Sequence, residues 1–343
     1  MLDEMTISPA VAINKYGSLA REITNTADAP VVSYFGAWLL IAKYAKEVGL
    51  PSDFAYAEQI LGMSLDDAQR TADELMAEIP DEISAGLAFW DDNHENTRPI
   101  IPSSAELDEW VATHSQGLIK SFPPVPDNTQ QLLASVLAVK TLWETPLNEK
   151  DGVLYGSEKN VSAALYRTAA AGDVAMVSPK PAARLNVFSA IADPSRSPAE
   201  VWKAIEEISD GTADLIPWTP EGHSWSVRKI SSQTPSNTPL LRVTLPKWSA
   251  SVDMDVAKFP GMDDFLFRRV SGSARQKAIA KYDANGFEAA ALTAAARGLS
   301  LGSEVDLVDI KVNHPHAVFA VYYEAMSAWS DIKLFESWVV PNS

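Results

Sequence analysis

One short segment has the residue types of a nucleophilic active site. Gly222, His223, Ser224, Trp225 and Ser226 follow one another and approach the Gly-x-Ser-x-Gly pattern of serine hydrolases. In that pattern the last residue is glycine, because the serine sits on a strained turn between a strand and a helix. Here the last residue is Ser226, and no helical pattern follows it. A serine hydrolase is therefore a weak hypothesis, which requires that activity be lost on changing His223 or Ser224.

The other candidate groups are two further histidines and a pair of carboxylates. His314 and His316, separated by Pro315, could offer two imidazoles to a metal ion, but no third ligand is near them in the sequence. A turn that enters a strand explains them better. Asp91 and Asp92 fit surface charge better than general acid–base catalysis. With no phosphate-binding loop and no Gly-x-Gly-x-x-Gly motif, the sequence predicts a protein that is not an enzyme and has no cofactor and no metal site.

The composition narrows the class of partner. The chain has 343 residues, a formal net charge of −17 and no cysteine. This charge disfavours nucleic acid, heparin-like polyanions and anionic membranes, which all need basic patches. The longest apolar run, residues 29–42, is interrupted by proline and glycine and is too short to span a bilayer. Since the first residues lack the apolar core of a signal peptide, we expect a cytoplasmic protein, with secretion left open if a leader was removed.

Hydrophobic periodicity predicts a chain that is helical at first and rich in strands later. Helical patterns cover residues 9–26, 53–61, 65–79, 104–119 and 198–208, and residues 29–48 are interpreted as a short strand followed by a buried helix. Strand patterns cover residues 83–90, 132–142, 240–245, 253–256, 276–282, 305–312, 317–323 and 332–340. Separate runs of helices and strands predict an α+β fold rather than repeating βαβ units. No repeat or long linker divides the chain, so residues 1–343 are interpreted as a single domain.

Residues 276–301 contain a run of alanines that follows Asp283, Ala284 and Asn285. One interpretation is an alanine-rich helix with Asn285 as its N-cap and Gly298 just after its end. The other is a loop whose small side chains allow it to enter a sheet later. An isolated helix of this length is marginal in water, and the run has no apolar stripe to dock it. These residues alone leave both interpretations open.

Several segments together resemble the serpin family, the large suicide inhibitors of proteases. They are LDEWV at 107–111 with GLI at 117–119, KTLWETPL at 140–147, LPKW at 245–248, HPHAVF at 314–319 and LFESWVVPN at 334–342. Each is similar to a short motif of the family. Their order and spacing extend the resemblance from about residue 30 to the end of the chain.

This resemblance implies a large central mixed sheet with further sheets, an outer layer of helices and an exposed reactive loop at about residues 284–306. It also implies a mechanism, in which a serine protease attacks the loop and becomes acylated to it. The N-terminal part of the loop then inserts into the central sheet as a new strand and carries the trapped enzyme along. We expect a bacterial-type member that acts as a monomer and, because its early helices are acidic, is not activated by heparin.

The alanine-rich run is similar to the hinge from which the family's loop enters the sheet. The matching residues are Gly286, Phe287, Glu288, Ala289, Ala290, Ala291, Leu292 and Thr293. Side chains alternate in a strand, so Phe287 and Ala289 face the interior if Glu288 faces outward. Small interior residues suit insertion, but Phe287 replaces a small family residue and would cost about 1–3 kcal/mol if its site is already filled. The resemblance favours the loop over the permanent helix.

The reactive bond has two candidate positions. Counting fifteen residues from the start of the hinge, as in the family, places the bond after Ser300. Leu299, Ser300 and Leu301 would suit an elastase-, chymotrypsin- or subtilisin-like protease. Arg297, followed by Gly298, is the only basic residue of the loop and offers a trypsin-like site, but its use would shorten the inserting segment. We favour the first position and keep the second as the alternative.

In the family, serines on the second helix and an asparagine–histidine pair hold the central sheet where it opens. The corresponding residues here are Ser33, Gly36, Ser135 and Gln276. One serine is kept, and a glutamine replaces the histidine, so Ser135 and Gln276 could hydrogen-bond with a different reach. These departures, with Phe287, motivate an alternative hypothesis. It is a non-inhibitory serpin-like binding or structural protein whose loop is only a substrate.

Overall fold

The structure is a computed structural model that describes residues 8–48, 51–91, 101–232, 239–262, 272–287 and 303–341. Within these residues the α-helices are α1 (Pro9–Thr24), α2 (Tyr34–Val48), α3 (Phe54–Leu61), α4 (Leu65–Ala77), α5 (Ser104–His114) and α6 (Pro198–Ser209). The strands are β1 (Ile83–Asp91), β2 (Gln131–Val139), β3 (Thr141–Leu142), β4 (Asn148–Lys150), β5 (Val153–Ser157), β6 (Val161–Thr168), β7 (Gly172–Pro179), β8 (Leu185–Ile191), β9 (Asp214–Ile216), β10 (Trp225–Ser232), β11 (Leu240–Pro246), β12 (Trp248–Asp255), β13 (Gly272–Tyr282), β14 (Gly286–Phe287), β15 (Ser303–Lys311), β16 (His316–Tyr322) and β17 (Lys333–Val339).

The central sheet is mixed. β1 pairs antiparallel with β2 along its whole length, and β12 pairs antiparallel with β13. β2 and β13 are parallel neighbours, but they pair only between Gly272–Arg275 and Gln131–Ala134. The short strands β14 and β3 extend the sheet beyond this contact. The central sheet is therefore continuous at one end of the β2–β13 pair and interrupted further along it.

Two further sheets surround the central one. The second sheet has the order β10-β15-β11-β5-β4, and the third has the order β17-β16-β8-β7-β6-β9. β15 is central in the second sheet, where it pairs antiparallel with β10 and parallel with β11. Only short turns separate β15 from β16, so the chain passes directly from the second sheet into the third. The helices and the mixed sheets confirm the α+β fold class.

Helix α2 lies in the main hydrophobic core, as its sequence predicts. Trp38, Leu40 and Ile41 are fully buried, and the helix packs against α1, α4, β2 and β17. Its first half is apolar on every side, so it has no face suited to water. The helix α2 therefore contacts both the central sheet and the third sheet. No helix in the described part of the chain is long and apolar enough to cross a membrane.

Two predicted boundaries are wrong. The helix predicted for residues 104–119 ends at His114, because Gln116 and Gly117 have φ angles of 52° and 78° and cannot continue a right-handed helix. Its start is capped by Ser103, whose side chain accepts a hydrogen bond from the Glu106 N–H. The strand predicted at residues 253–256 is the end of the longer β12. The other predicted helices and strands are confirmed to within a few residues, except that residues 132–142 divide into β2 and β3.

Candidate functional site

The candidate site is the interruption in the central sheet between β2 and β13. Beyond the pairing of Arg275 with Ala134, no strand among the described residues bonds to β13 on this side until Tyr282. There β14 lies between β13 and β3, with Phe287 opposite both Tyr282 of β13 and Thr141 of β3. We call the unpaired stretch, residues 135–140 of one strand and 276–281 of the other, the sheet gap. It is closed at both ends and is about one strand wide at the end where β14 sits.

Phe287 is already buried in the core at the entrance of the sheet gap. Its side chain is 4 % exposed, and its ring meets Trp248 and Tyr282 edge to face, with centroids 6.3 and 6.5 Å away. Trp143 packs against Tyr282 on another side, at 5.3 Å. The inward orientation predicted for Phe287 is therefore correct. The expected cost of bringing this ring into a filled site does not arise here, because aromatic neighbours already enclose it.

The turn before β14 is fixed by hydrogen bonds. The Trp143 N–H donates to the Asn285 carbonyl (2.9 Å), the Leu147 N–H donates to the Ala284 carbonyl (2.7 Å), and the Trp143 indole donates to the Asp283 carbonyl (3.0 Å). Asn285 itself donates its N–H to the Asp283 side chain (2.9 Å). The interpretation of Asn285 as a helix N-cap is therefore wrong at its first step, since a turn and then a strand follow it.

The four residues predicted for the opening region come together at the other end of the sheet gap. Gln276 donates from Nε2 to the Ser33 carbonyl (2.6 Å) and accepts at Oε1 from the Ser33 N–H (2.9 Å). Gly36 lies against Ser135, and a Cβ on Gly36 would stand 2.7 Å from the Ser135 Oγ. All four side-chain positions are buried, and they line a small cavity. Gln276 thus ties β13 to the chain entering α2, rather than to Ser135 on β2.

The outer side of the sheet gap is covered by α5 and the segment that follows it. Val136 of β2 and Ile279 of β13 lie on either side of the sheet gap, and both pack into one cluster with Trp110 and Phe122. The Lys277 ammonium also donates to the Ser121 hydroxyl (3.1 Å). This cover contacts both borders of the sheet gap, so any widening of it must disturb these contacts.

Comparison with known proteins was made through sequence and through structure. No family model and no curated protein sequence matches the chain. The structure matches a thermophilic serpin, Tengpin, in its native state, with a TM-score of 0.69 and 15 % identity over 99 % of this chain and 96 % of that one. It matches Serpin48 of the insect Tenebrio molitor with a TM-score of 0.66 and 13 % identity over 99 % and 100 % of the two chains.

A third match is human thyroxine-binding globulin in complex with thyroxine, with a TM-score of 0.66 and 12 % identity over 98 % of each chain. The alignments therefore cover almost the whole of this chain and almost the whole of each solved structure. The chain has the serpin fold. The resemblance seen in the sequence motifs is confirmed at the level of the fold, including the large central sheet, the further sheets and the helices around them.

Several predicted residues of the serpin loop lie outside the described residues. They are the hinge residues Glu288, Ala289, Ala290, Ala291, Leu292 and Thr293 and the reactive-bond candidates Arg297, Gly298, Leu299, Ser300 and Leu301. The described residues of the predicted loop are 284–287 at its beginning and 303–306 at its end, and the latter already belong to β15, so the loop ends before residue 303. Sequence reasoning did not find the aromatic residues around Phe287. Trp143 and Trp248 lie in the KTLWETPL and LPKW segments, so the motifs pointed to them without revealing what they contact.

Ser224, the serine of the hydrolase hypothesis, does not lie in an open site. His223 Nδ1 lies 2.9 Å from the Ser224 hydroxyl, but the Ser224 side chain is buried and the other ring nitrogen bonds to the Asp173 carbonyl (3.0 Å). A substrate could not reach this serine without local opening. No group of three histidine or carboxylate side chains in the described ranges could hold a metal ion, and His314 instead bonds to the Ala192 carbonyl (2.8 Å).

Proposed function

We propose that this chain is a serine-protease inhibitor that acts as a suicide substrate and inserts its cleaved loop into the sheet gap. The observation that carries the proposal is the position of β14. Gly286 and Phe287 already form a strand segment between β13 and β3, and the chain after them begins at the entrance of the sheet gap. A target protease would cut the loop downstream, become acylated to it and be carried along as the strand extends.

The register of β14 fixes which residues would meet. If the chain continues antiparallel to β13, Ala289 lies beside Ala280 and Ala291 lies beside Ala278, both of which are buried on the core side. On the other border, the same register brings these two residues beside Val139 and Leu137. Thus two alanines would enter where only small side chains fit between packed neighbours.

The remaining positions also suit this register. Glu288 would lie between Lys140 and Lys281, which are both exposed, so its carboxylate would meet two cations on the outer face. Thr293 would lie between Ser135 and Gln276, next to the opening region. Six residues, 288–293, would therefore fill the sheet gap before the strand reached the place where β2 and β13 already pair.

The energy of this step favours completion. Six further residues add about six ladder hydrogen bonds at about 0.5–1.5 kcal/mol each, on the order of 6 kcal/mol in total. This is comparable to the stability of an ordinary domain. The intact form would then be held by a kinetic barrier, to which the Gln276–Ser33 contact and the cover over Val136 and Ile279 contribute.

The test is complex formation with a panel of proteases. An elastase-, chymotrypsin- or subtilisin-like enzyme is the favoured target, through the bond at Leu299–Leu301, and a trypsin-like enzyme acting at Arg297 is the alternative. The expected product is an SDS-stable complex of one inhibitor and one protease. If every enzyme of the panel yields only cleaved chain and free active protease, inhibition of these classes is contradicted.

A matched pair of variants tests insertion itself. Ala291→Arg would force a long cation between Ala278 and Leu137, so this variant is expected to be cleaved without forming a complex. Glu288→Arg introduces the same side chain at an outward position beside exposed lysines, where repulsion costs at most about 1 kcal/mol. It should still form the complex. Equal complex formation by both variants would contradict the proposed register.

A second candidate function is the binding of a small molecule, and a specific cavity favours it. A cavity of about 510 Å³ lies between α1, α6 and the strands β16 and β17, a size suited to a small ligand. Phe319 and Val321 form an apolar part of its wall. Lys333 also lines it and is only 8 % exposed, and the carboxylates of Glu206 and Asp210 in the same lining favour its charged form.

A buried ammonium beside an apolar wall would suit an amphipathic anion, such as an aromatic carboxylate. The solved complex of thyroxine-binding globulin with thyroxine makes thyroxine one useful probe, and 1-anilinonaphthalene-8-sulfonate is another. Binding should weaken at least tenfold in Lys333→Met and remain unchanged in Lys120→Met, which alters a lysine outside the cavity lining. Absence of binding, or equal binding by both variants, would exclude this second function for these probes.

A further inference from the structure

Three histidines meet where the second and third sheets join, and each ring is bonded to a backbone carbonyl. His223 Nε2 lies 3.0 Å from the Asp173 carbonyl at the start of β7, and His314 Nε2 lies 2.8 Å from the Ala192 carbonyl after β8. His316 Nδ1 lies 2.9 Å from the His314 carbonyl. We call these three residues the histidine cluster. Each contact is one that a neutral imidazole makes by donating its single N–H.

The histidine cluster holds the second sheet onto the third. His223 precedes β10, and its neighbour Ser224 accepts a hydrogen bond at its carbonyl from the Lys311 N–H at the end of β15 (2.8 Å). His314 lies in the connection from β15 to β16, and His316 is the first residue of β16. Through these bonds, the edge strand β10 and the end of β15 are fastened to the ends of β7 and β8.

Protonation of the histidine cluster is unfavourable in the closed state, in which the second sheet is held onto the third. His316 is 1 % exposed, and its Nε2 has no hydrogen-bond partner among the residues that the structure describes, so a second N–H there would be buried without an acceptor from them. Burial lowers the pKa of His316 to about 4. Burial also lowers the pKa of His223, and its ring centroid is 6.0 Å from that of His314, so two charged rings would repel.

The surrounding charges oppose this shift only in part. The carboxylates that face His223 are Asp173 and Asp193, and both favour its charged form, whereas His314 disfavours it. The Asp193 carboxylate already accepts hydrogen bonds from the Ser195 hydroxyl and N–H. Among the described residues, His314 is the titratable group that acts on His316, and its charge would disfavour a second one, while the His314 carbonyl favours a charged His316.

We propose that the histidine cluster is an acid-sensitive fastening, which releases β10 and the β15–β16 connection from the third sheet when it takes up protons. The histidine cluster lies at the C-terminal end of β15, where β15 meets the start of β10, so the release loosens β10 and that end of β15. Acid thus becomes a signal that changes how firmly the second sheet is held to the third. This inference concerns the fastening alone and stands whether or not the chain inhibits a protease.

The sign and size of the effect follow from the depressed pKa of His316. The released state binds a proton near pH 6.5, while the closed state does not do so until about pH 4. The closed state is therefore fully stabilised above pH 6.5 and loses stability as the pH falls from 6.5 to 4. Between pH 7.5 and pH 5.0, one such histidine shifts the closing equilibrium by about 30-fold.

Hydrogen exchange measured by mass spectrometry tests this proposal on the full-length protein. After correction for the intrinsic effect of pH, amides of β10, β15 and the β15–β16 connection should open about 30-fold more at pH 5.0 than at pH 7.5. Amides of β12, in the central sheet, should change much less. His316→Phe, which fills the site with an apolar ring, should remove most of the increase.

Two further variants make the result decisive. His223→Gln keeps a side-chain N–H donor for the Asp173 carbonyl but cannot titrate, so it should also reduce the increase in exchange. It serves as the test variant if His316→Phe does not fold. His114→Gln is the control. His114 lies in α5, bonds to the Trp110 carbonyl and is not part of the histidine cluster. The proposal is overturned if the wild type shows no increase at these strands, or if all variants show the same increase.

Discussion

The side chain of Gln276 grips the backbone of Ser33 through both halves of its amide, with its Nε2 2.6 Å from the Ser33 carbonyl and its Oε1 2.9 Å from the Ser33 N–H. The two residues are 243 positions apart, and both are buried. This contact joins β13, one border of the sheet gap, to the start of the central helix α2. A glutamine thus makes the hydrogen bonds at a position where the family resemblance implied a histidine.

Replacing this glutamine should weaken the intact fold. In Gln276→Ala, the Ser33 N–H and carbonyl lose their partners while they remain buried, and each loss costs about 1–3 kcal/mol. We expect the free energy of unfolding to fall by about 2–6 kcal/mol in urea titrations. The neighbouring Lys277→Ala, which removes only an exposed hydrogen bond to Ser121, should cost less than about 1 kcal/mol. Equal losses in the two variants would contradict the importance of the Gln276–Ser33 contact.

The Ser135 hydroxyl should leave no room for a side chain at position 36. Because a Cβ on Gly36 would stand 2.7 Å from the Ser135 Oγ, Gly36→Ala is expected to destabilise the protein by about 1–3 kcal/mol. Removing the hydroxyl in the double variant Gly36→Ala/Ser135→Ala should recover at least about 1 kcal/mol. A double-mutant cycle measured by urea unfolding gives this coupling directly. Additive losses would show that the two positions do not compete for space.

Phe287 should stabilise the hinge in its present position rather than obstruct it. In Phe287→Thr, the ring that packs on Trp248 and Tyr282 is lost, and water can approach the neighbouring indoles. We expect a red shift of the tryptophan emission and a loss of stability of up to about 3 kcal/mol. Complex formation with a protease should not become faster, although the variant restores a residue type that the family prefers. An unchanged spectrum together with faster complex formation would mean that the ring is a barrier to insertion.

Lys333 should lower the stability of the intact protein at neutral pH. Burial lowers the pKa of its ammonium, so the native state holds this proton less tightly than the unfolded chain and loses stability as the pH falls from about 10.4. Lys333→Met keeps the length of the side chain without its charge and should raise the free energy of unfolding at pH 7 by about 1–3 kcal/mol. Lys15→Met, which changes another lysine of the same cavity, is the control and should have little effect. A destabilised Lys333→Met would contradict this prediction.

Much of the fold could be predicted because its signals are local or belong to short motifs. The all-round apolar face of α2 and the continuous apolar run of β2 indicated burial, and both segments are buried. The strands β4 to β9 and β10 were not predicted. For β10 the reason is that an edge strand with polar residues such as Arg228 and Lys229 carries no buried apolar run. The end of α5 was misplaced because Ser115 and Gln116 form a turn that helical periodicity does not reveal.

The candidate site could be located from the sequence, but its contacts could not. Ser33, Gly36, Ser135 and Gln276 lie close together in the structure, and their role in the opening of the sheet stays a prediction. The partner of Gln276 depends on how α2 and β13 are positioned relative to each other, which no local sequence pattern encodes. The burial of Phe287 likewise depends on Trp248 and Tyr282 meeting across strand pairings that are remote in sequence.

The most direct measurement is the thermal stability of the protein before and after its loop is cut. A protease should nick the chain once downstream of Thr293, with the bond identified by mass, and the two forms should then be melted under the same conditions. Insertion of residues 288–293 into the sheet gap predicts a melting temperature higher by on the order of 10 °C in the nicked form. The Ala291→Arg variant should show no such rise. An unchanged melting temperature in the nicked wild-type protein would contradict loop insertion and, with it, the proposed inhibitory mechanism.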